Sequence, residues 1–575
     1  MEKKLGVYIC ACGGNISDYV DIEKVRESIK DEDCVLLAKT TMFACGDTNQ
    51  KEMDSDIREN NLSGIVVASC SPKLHLTTFR AVSERAGLNK YNYVHANIRE
   101  QASWAHSDDK AGATEKAIHL VKAAIAKARY AKSLETIKIK AEKSVAVAGA
   151  GVTGIKAALA LSNMGDKVYL IERENKIGGK TSSIYHVSPE NENGKNLMER
   201  LEKEVRNNDN ITLLTNSKII ECKGNIGDFE LTLQVNRSSE DTNIDRSVIN
   251  VGSVLVSTGF QSYIPTKGEY GFEEVKGVIT LPEFNSILHE NDGGKFVYDG
   301  KTIKSVAFIY CVGSRQTKGE NKYCSRFCCT AAIQSSLDIK EKYGDIQVYH
   351  FTKGVRTYGK QELKYAEACK AGDIFIQFLD KEEPSVIQEK DHAVVKVKDI
   401  LSSKREIEAE VDLVVLVTGM VPDSDRSIGS ILKLPRGRDN FFNEIHMKLR
   451  PVETVIDGIT IAGTCQGPKG VMESVSSAIS AAVKSHSFIS KGEIDLPPIV
   501  AYIDKESCEW CGKCSEACPF NAISMINTGK KNIAEVNSTT CKGCGMCLPV
   551  CLSDSVELTS FSNKEIESMI DVLAN

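Results

Sequence analysis

One spacing constrains this chain more than any other. Cys508-x-x-Cys511-x-x-Cys514-x-x-x-Cys518-Pro519 is repeated as Cys541-x-x-Cys544-x-x-Cys547-x-x-x-Cys551. Three thiolates at intervals of three wrap one iron–sulfur cubane, and the fourth reaches over to a second. The spacing predicts one [4Fe–4S] cluster on Cys508, Cys511, Cys514 and Cys551, and another on Cys541, Cys544, Cys547 and Cys518. Zinc needs only four ligands per site and leaves the doubled fourth cysteine unexplained. The expectation is a segment that moves single electrons.

The 575 residues contain twenty cysteines, many in C-x-C, C-x-x-C and C-C clusters. Met1-Glu-Lys-Lys runs straight into the strand-like Leu5–Cys10, so no signal peptide is expected. Clustered thiols in such a chain point to metal rather than disulfides, and to a reducing cytoplasm. No apolar run reaches membrane-spanning length. A net charge of −6 gives no reason to expect nucleic acid or an anionic membrane as partner.

The organisation reads as α/β with three parts. Residues 1–135 form a small N-terminal α/β domain, with strands at Leu5–Ile9 and Gly64–Ala68 and a helix over Ala111–Ala131. Residues 144–490 form a larger α/β region, opening on the strand Ser144–Ala148 and closing on the helix Val471–Ser485. Ile494-Asp-Leu-Pro-Pro-Ile499 reads as a linker, because two prolines discourage helix and stiffen the chain. Residues 500–560 form a ferredoxin domain of α+β type.

Within the larger region, Val145-Ala-Val-Ala-Gly149-Ala-Gly151-Val152-Thr153-Gly154 is a strand entering a G-x-G-x-x-G turn, followed by a helix. A second strand, Lys167–Ile171, ends in Glu172. The first glycine makes the turn, the second lets backbone approach a pyrophosphate, and the third packs helix on strand. Glu172 is placed for a ribose hydroxyl. The next stretch, Arg173 to Gly178-Gly179-Lys180, resembles the continuation found in flavoproteins with two dinucleotide-binding folds, of the thioredoxin reductase kind. Val254 to Thr258-Gly259 resembles their strand-then-T-G element. Asp457-Gly-Ile-Thr-Ile-Ala-Gly463-Thr464 resembles their closing motif, whose Asp binds the ribityl chain of FAD. FAD is therefore the expected ligand of Gly149, Gly151, Val152, Thr153, Gly154, Glu172, Arg173, Gly179, Lys180, Thr258, Gly259, Asp457, Gly463 and Thr464.

Such flavoproteins usually carry a second glycine fingerprint for NAD(P)H. Here the equivalent strand runs Ser305 to Cys311-Val-Gly313-Ser-Arg315, with a cysteine and one glycine where the pyrophosphate turn should be. Cys324, Cys328 and Cys329 come soon after. Four thiols in nineteen residues suggest a further cluster, with buried apolar cysteine or a redox disulfide as alternatives. In the N-terminal domain Cys10, Cys12, Cys45 and Cys70 are ligand candidates, since cysteines at strand ends can converge on one sheet edge. Cys34, Cys222 and Cys369 look isolated, and Cys465 could line the flavin site.

Taken together, these pieces resemble the A-type subunit of heterodisulfide reductase. The matching segments are Cys10-Ala-Cys-Gly-Gly-Asn-Ile16, Ala68-Ser-Cys-Ser-Pro-Lys73, Ala96-Asn-Ile-Arg-Glu-Gln101, Cys311-Val-Gly-Ser-Arg315, Tyr323-Cys-Ser-Arg-Phe-Cys-Cys329 and Ala462-Gly-Thr-Cys-Gln-Gly-Pro-Lys469. The resemblance implies an iron–sulfur flavoprotein that passes electrons between partners, with the option of flavin-based electron bifurcation or confurcation. It implies B- and C-type subunits, an electron-donating dehydrogenase or hydrogenase module, ferredoxin, and a homodimer within a larger complex. Three departures stand out. Residues 180–250 hold only Cys222, so the ferredoxin module often inserted there is missing. Ala102 stands where the family often has cysteine. Gln334 stands where bifurcating relatives tend to have a lysine. A lysine ammonium would stabilise an anionic reduced flavin better than an amide. The competing reading is a self-contained NAD(P)H-dependent disulfide or ferredoxin reductase, which needs an NAD(P) site. A third is a scaffold whose N-terminal domain docks partners.

Overall fold

The computed structural model describes residues 3–188, 191–235, 245–291 and 294–574. The chain forms two compact units, residues 1–138 with 495–575, and residues 139–494. The N-terminal segment and the cysteine-rich tail thus share one unit, a pairing no local pattern announced.

In the first unit, β1 (Leu5–Cys10), β2 (Val35–Thr41), β3 (Gly64–Ser69) and β4 (Tyr93–Asn97) make a parallel sheet of order β2-β1-β3-β4. β1 and β3 are buried along their whole length, which is why they read as continuous apolar runs. α1 (Lys110–Tyr130) covers the sheet; the Asp109 side chain accepts the Gly112 N–H at 3.0 Å and so caps its start.

The second unit holds two parallel sheets. In the first, β5 (Ser144–Ala148), β6 (Lys167–Ile171), β7 (Ile211–Leu214), β8 (Ser253–Val256) and β9 (Ile459–Ile461) take the order β7-β6-β5-β8-β9. α2 (Val152–Asn163) leads out of β5, and α3 (Val471–Ile489) packs against α2. In the second sheet, β10 (Val278–Thr280), β11 (Ser305–Val312), β12 (Gln347–Thr352), β13 (Ile374–Gln377) and β14 (Leu413–Thr418) take the order β10-β14-β11-β12-β13. α4 (Cys328–Tyr343) lies against it. Both sheets are parallel and helix-covered, the layout that places ligands beyond the carboxyl ends of the strands. Part of the 180–250 stretch without a ferredoxin insert is the antiparallel sheet of Ser217–Asn225, Asp228–Val235 and Asp245–Val251; residues 189–190 and 236–244 lie outside the described residues.

The tail belongs to the first unit. Ala501–Ile503 pairs antiparallel with Val556–Leu558, and Ile523–Asn527 with Asn532–Val536. The helix Asn563–Ala574 packs on α1, with the Lys127 ammonium 3.6 Å from the centre of the Phe561 ring. The expected linker begins as strand, because Glu493–Leu496 is extended and Pro497-Pro498 come only after it.

Candidate functional site

A cavity of about 1040 Å³ opens over the carboxyl ends of β5, β6 and β8. Gly149, Gly151, Val152, Thr153, Glu172, Arg173, Gly179, Lys180, Thr258, Gly259 and Thr464 all line it. The three glycines of the turn have separate reasons. Gly149 has φ +101°, a left-handed backbone that disfavours a side chain. Gly151 has no atom within 4 Å of where a Cβ would stand, and its backbone lines the cavity. Gly154 packs so closely on the Gly149 carbonyl that a methyl has no room. Gly154 and Gly463 therefore shape the walls without being lining residues. Glu172 is fixed at the rim, its carboxylate accepting the Ala150 N–H at 2.7 Å and the Glu174 N–H at 3.1 Å.

Asp457 is not brought to this cavity. It precedes β9, at the amino end of that strand, whereas the cavity lies at the carboxyl end, where Gly463 and Thr464 stand. The resemblance points to the acid before the strand; the position after Gly463 is a threonine. Cys465 is also absent from the lining. Its buried thiol points to the carbonyls of Ala462 (3.1 Å) and Val256 (3.4 Å), and burial pushes it up to about 11.

Lys180, Lys469 and Arg326 add positive charge to the lining. Lys469 lies in the lining and donates to the Gly463 carbonyl at 3.3 Å and to Gln466 Oε1 at 3.1 Å. Burial lowers the pKa of both Lys469 and Lys180. Arg326 pairs with Glu473, and the Tyr358 hydroxyl donates to the other Glu473 oxygen at 3.0 Å; all three line the cavity. The shape, glycine turn, fixed acid and lysines fit a dinucleotide with a pyrophosphate and a large ring system.

The second sheet supplies the opposite wall, and with it the first thiol quartet. β11 bulges near its end, and Cys311 takes φ +63°. Another tight turn, at Arg326 with φ +61°, leads into α4, whose first two residues are Cys328 and Cys329. The sharp turn thus precedes the adjacent pair rather than separating it. Cys311, Cys324, Cys328 and Cys329 lie close enough to influence one another electrostatically. Arg326 N–H donates to Cys324 Sγ at 3.3 Å and Arg356 N–H to Cys329 Sγ at 3.4 Å. The first turn of α4 has no side-chain cap, so its N–H groups and dipole favour negative charge at the helix start, where Cys328 and Cys329 stand. Burial drives Cys328 well above the ordinary thiol range and Cys329 up to about 12, so a cation bound there would have to displace their protons. The next turns of the same helix, Thr330, Ala331, Gln334 and Ser335, line the large cavity.

This quartet stands where a second nucleotide turn would be. A side chain on Gly313 would run into the Tyr263 ring, so that ring covers the backbone a pyrophosphate would have to approach.

In the first unit, Cys10, Cys12, Cys45 and Cys70 collect at the carboxyl edge of the β1–β4 sheet. Ala44 N–H donates to Cys10 Sγ at 3.3 Å; the Arg99 guanidinium reaches Cys12 Sγ at 3.6 Å and lies 4.5 Å over Trp104. Burial pushes Cys10 up to about 11. Ala102 is fully buried beside this segment. Cys34 sits before β2, at the far end of the sheet; Cys222 is on the antiparallel sheet and Cys369 is exposed.

In the tail, Cys518 shares a small cavity with Cys541, Cys544 and Cys547. Cys514 lies within electrostatic reach of Cys508 and Cys511. Backbone N–H groups donate to four of the sulfurs, Ala534 to Cys508, Ala522 to Cys518, Ala501 to Cys541 and Ser555 to Cys551, at 3.3–3.4 Å. Such bonds tune cluster potentials. None of the twenty cysteines is in a disulfide. Among the described residues no three His, Cys, Asp or Glu side chains close on one metal ion. A cubane takes one thiolate at each of four iron corners, so its ligands need not converge on a single point.

Comparison with known proteins settles the family. A "4Fe-4S dicluster domain" matches residues 501–558, and "Pyridine nucleotide-disulphide oxidoreductase" matches residues 109–284. The second iron–sulfur A-type subunit of the CoB–CoM heterodisulfide reductase of Methanopyrus kandleri is 34% identical over 92% of each chain. The chain belongs to the family of heterodisulfide reductase A-type subunits. The A-type subunit of the H(2):CoB-CoM heterodisulfide,ferredoxin reductase of Methanothermobacter marburgensis is likewise 34% identical over 92% of each chain. Among solved structures, the thioredoxin reductase of T. acidophilum aligns with TM-score 0.40 and 16% identity, covering 60% of this chain and 99% of that one. This member of the family is an oxidoreductase that joins a flavin-binding fold to a 4Fe–4S ferredoxin domain, an electron-transfer subunit. Among the described residues no helix is long and apolar enough to cross a membrane.

Proposed function

We propose that this chain holds FAD in the large cavity and passes electrons between partner subunits through it. One observation carries the reading: α4 begins with two thiols of the Cys311/Cys324/Cys328/Cys329 quartet and continues along the cavity wall. A two-electron carrier and a one-electron cluster would then share a helix. The flavin supplies the exchange between paired and single electrons; the chain's own residues bind its pyrophosphate, orient its ring and insulate it.

The reading assigns [4Fe–4S] clusters to that quartet, to Cys10, Cys12, Cys45 and Cys70, and to the two tail sets, Cys508/Cys511/Cys514/Cys551 and Cys541/Cys544/Cys547/Cys518. The cavity shared by Cys518 with the second run supports the crossed assignment. Terminal substrate chemistry belongs to partners: B- and C-type subunits, a dehydrogenase or hydrogenase module, and ferredoxin. Support comes from relatives whose names combine hydrogen, heterodisulfide and ferredoxin. Bifurcation at the flavin is the finer form of the proposal, and a homodimer its assembly. The competing NAD(P)H-dependent reading is disfavoured by Tyr263 over Gly313. Anaerobic purification, then iron and flavin analysis, tests the assignment. Loss of one cluster's iron in Cys328→Ser, with flavin retained, is the expected result; unchanged iron overturns it.

A further inference from the structure

His186 lines the flavin cavity, yet neither the turn nor any thiol quartet uses it. Its Nδ1 lies 2.8 Å from Asp338 Oδ1. Asp338 is almost wholly buried; its second support is Gln334, whose Nε2 donates to the same oxygen at 2.8 Å. An ionised Asp338 only accepts, so with it the hydrogen that faces it sits on His186 Nδ1. The other ring nitrogen, Nε2, is then the one left for the cavity. A buried carboxylate that fixes one imidazole tautomer is the arrangement by which proteins prepare a histidine to take up and release protons. Tyr185, His289, Glu341 and Lys342 stand around this pair, but Asp338 is the partner within hydrogen-bond distance.

Reducing a flavin by two electrons creates an N–H bond on its ring, so a proton must reach a cavity that is largely lined by protein. We propose that His186, oriented by Asp338 and Gln334, carries that proton. The inference rests on the reading that FAD occupies the cavity. The electrons come from a low-potential one-electron reductant in two steps. His186 Nε2 first takes a proton from solvent and then passes it to a ring nitrogen, which returns the imidazole to its neutral Nδ1–H form; oxidation sends the proton back by the same route. Asp338 and Gln334 are positioning residues in this scheme.

The test uses the anaerobic full-length chain, with dithionite as reductant and flavin absorbance as signal. Flavin content is measured first. A wild-type chain without flavin would overturn the FAD reading itself, whereas equal flavin in wild type and His186→Ala isolates the proton step. His186→Ala should slow flavin reduction about a hundredfold, within the range for a lost proton-transfer group. Added imidazole should restore much of the rate, and the solvent isotope effect should rise. Asp338→Asn should slow reduction less and gain nothing from imidazole. In a second readout, the ring-nitrogen NMR shifts of His186 should show a single tautomer, protonated at Nδ1, that is lost in Asp338→Asn. Wild-type reduction rates in His186→Ala, or slow rates that imidazole does not restore, would overturn the proposal.

Discussion

Two glycines of the same turn should fail in different ways. At Gly154, a Cβ would stand 1.8 Å from the Gly149 carbonyl oxygen and 2.8 Å from Ser257 Oγ. Neither neighbour can withdraw, because one is backbone and the other is anchored to the carbonyls of Ala148 and Gly149. α2 must therefore shift off the sheet. Overpacking of this kind costs up to about 3 kcal/mol or more, and the better helix propensity of alanine returns at most about 1 kcal/mol. Gly154→Ala should lose about 2–3 kcal/mol, a fall of roughly 3–4 °C in Tm for a unit of this size. Gly151 has φ −74° and ψ −178°, open to any residue, with empty space beyond it. Gly151→Ala should cost about 1 kcal/mol or less in stability, the cost of a poorer helix cap. Its methyl should instead stand between backbone and pyrophosphate. Loss of one charge-assisted hydrogen bond of about 1.5–3 kcal/mol weakens FAD binding roughly 10–100-fold. Thermal unfolding of the flavin-free chain, paired with FAD titration, separates the two effects. Wild-type FAD affinity in Gly151→Ala, or a wild-type Tm in Gly154→Ala, would refute the reasoning.

Three further outcomes are expected. Asp457→Ala should leave FAD affinity unchanged by titration, because this residue lies at the wrong end of β9, whereas Thr464→Leu should weaken it by filling the cavity wall. Cys369→Ser and Cys222→Ser should leave the iron content of anaerobically purified chain unaltered, because neither thiol joins a quartet. His350 is fully buried and neutral, its pKa depressed from 6.5 by burial despite its contact with Asp373. Unfolding exposes a histidine that takes a proton below pH 6.5 while the folded one does not, so stability is present above that pH and lost as pH falls through it. Denaturant midpoints should drop on acidification below about pH 6.5, and His350→Gln should show a shallower drop.

How much of the molecule is legible in its sequence depends on how local each signal is. The tail's cysteine spacing is complete within each eleven-residue run and repeats once, and the G-x-G-x-x-G turn carries its strand, helix and acid in order. Strand ends at Cys10 and Cys70 also announce themselves, since both come after fully apolar runs. Asp457 misleads because short T-I-A-G resemblances have no polarity of their own; only the strand direction shows which end meets the cavity. His186 and Asp338 are 152 residues apart, so their bond is invisible without the fold. Nor can local pattern show that residues 495–575 join residues 1–138 in one unit. The departure at Gln334 is legible, but its partner Asp338, one helical turn on, gains meaning only from the third member, His186.

On the proposed reading, the flavin exchanges electrons with clusters rather than with a nicotinamide. The most direct measurement mixes the anaerobic full-length chain separately with NADH, with NADPH and with reduced ferredoxin, and tracks flavin absorbance by stopped flow. Rapid bleaching by ferredoxin and none by either nicotinamide is the predicted result. Rapid bleaching by NADH or NADPH acting on this chain alone would contradict it.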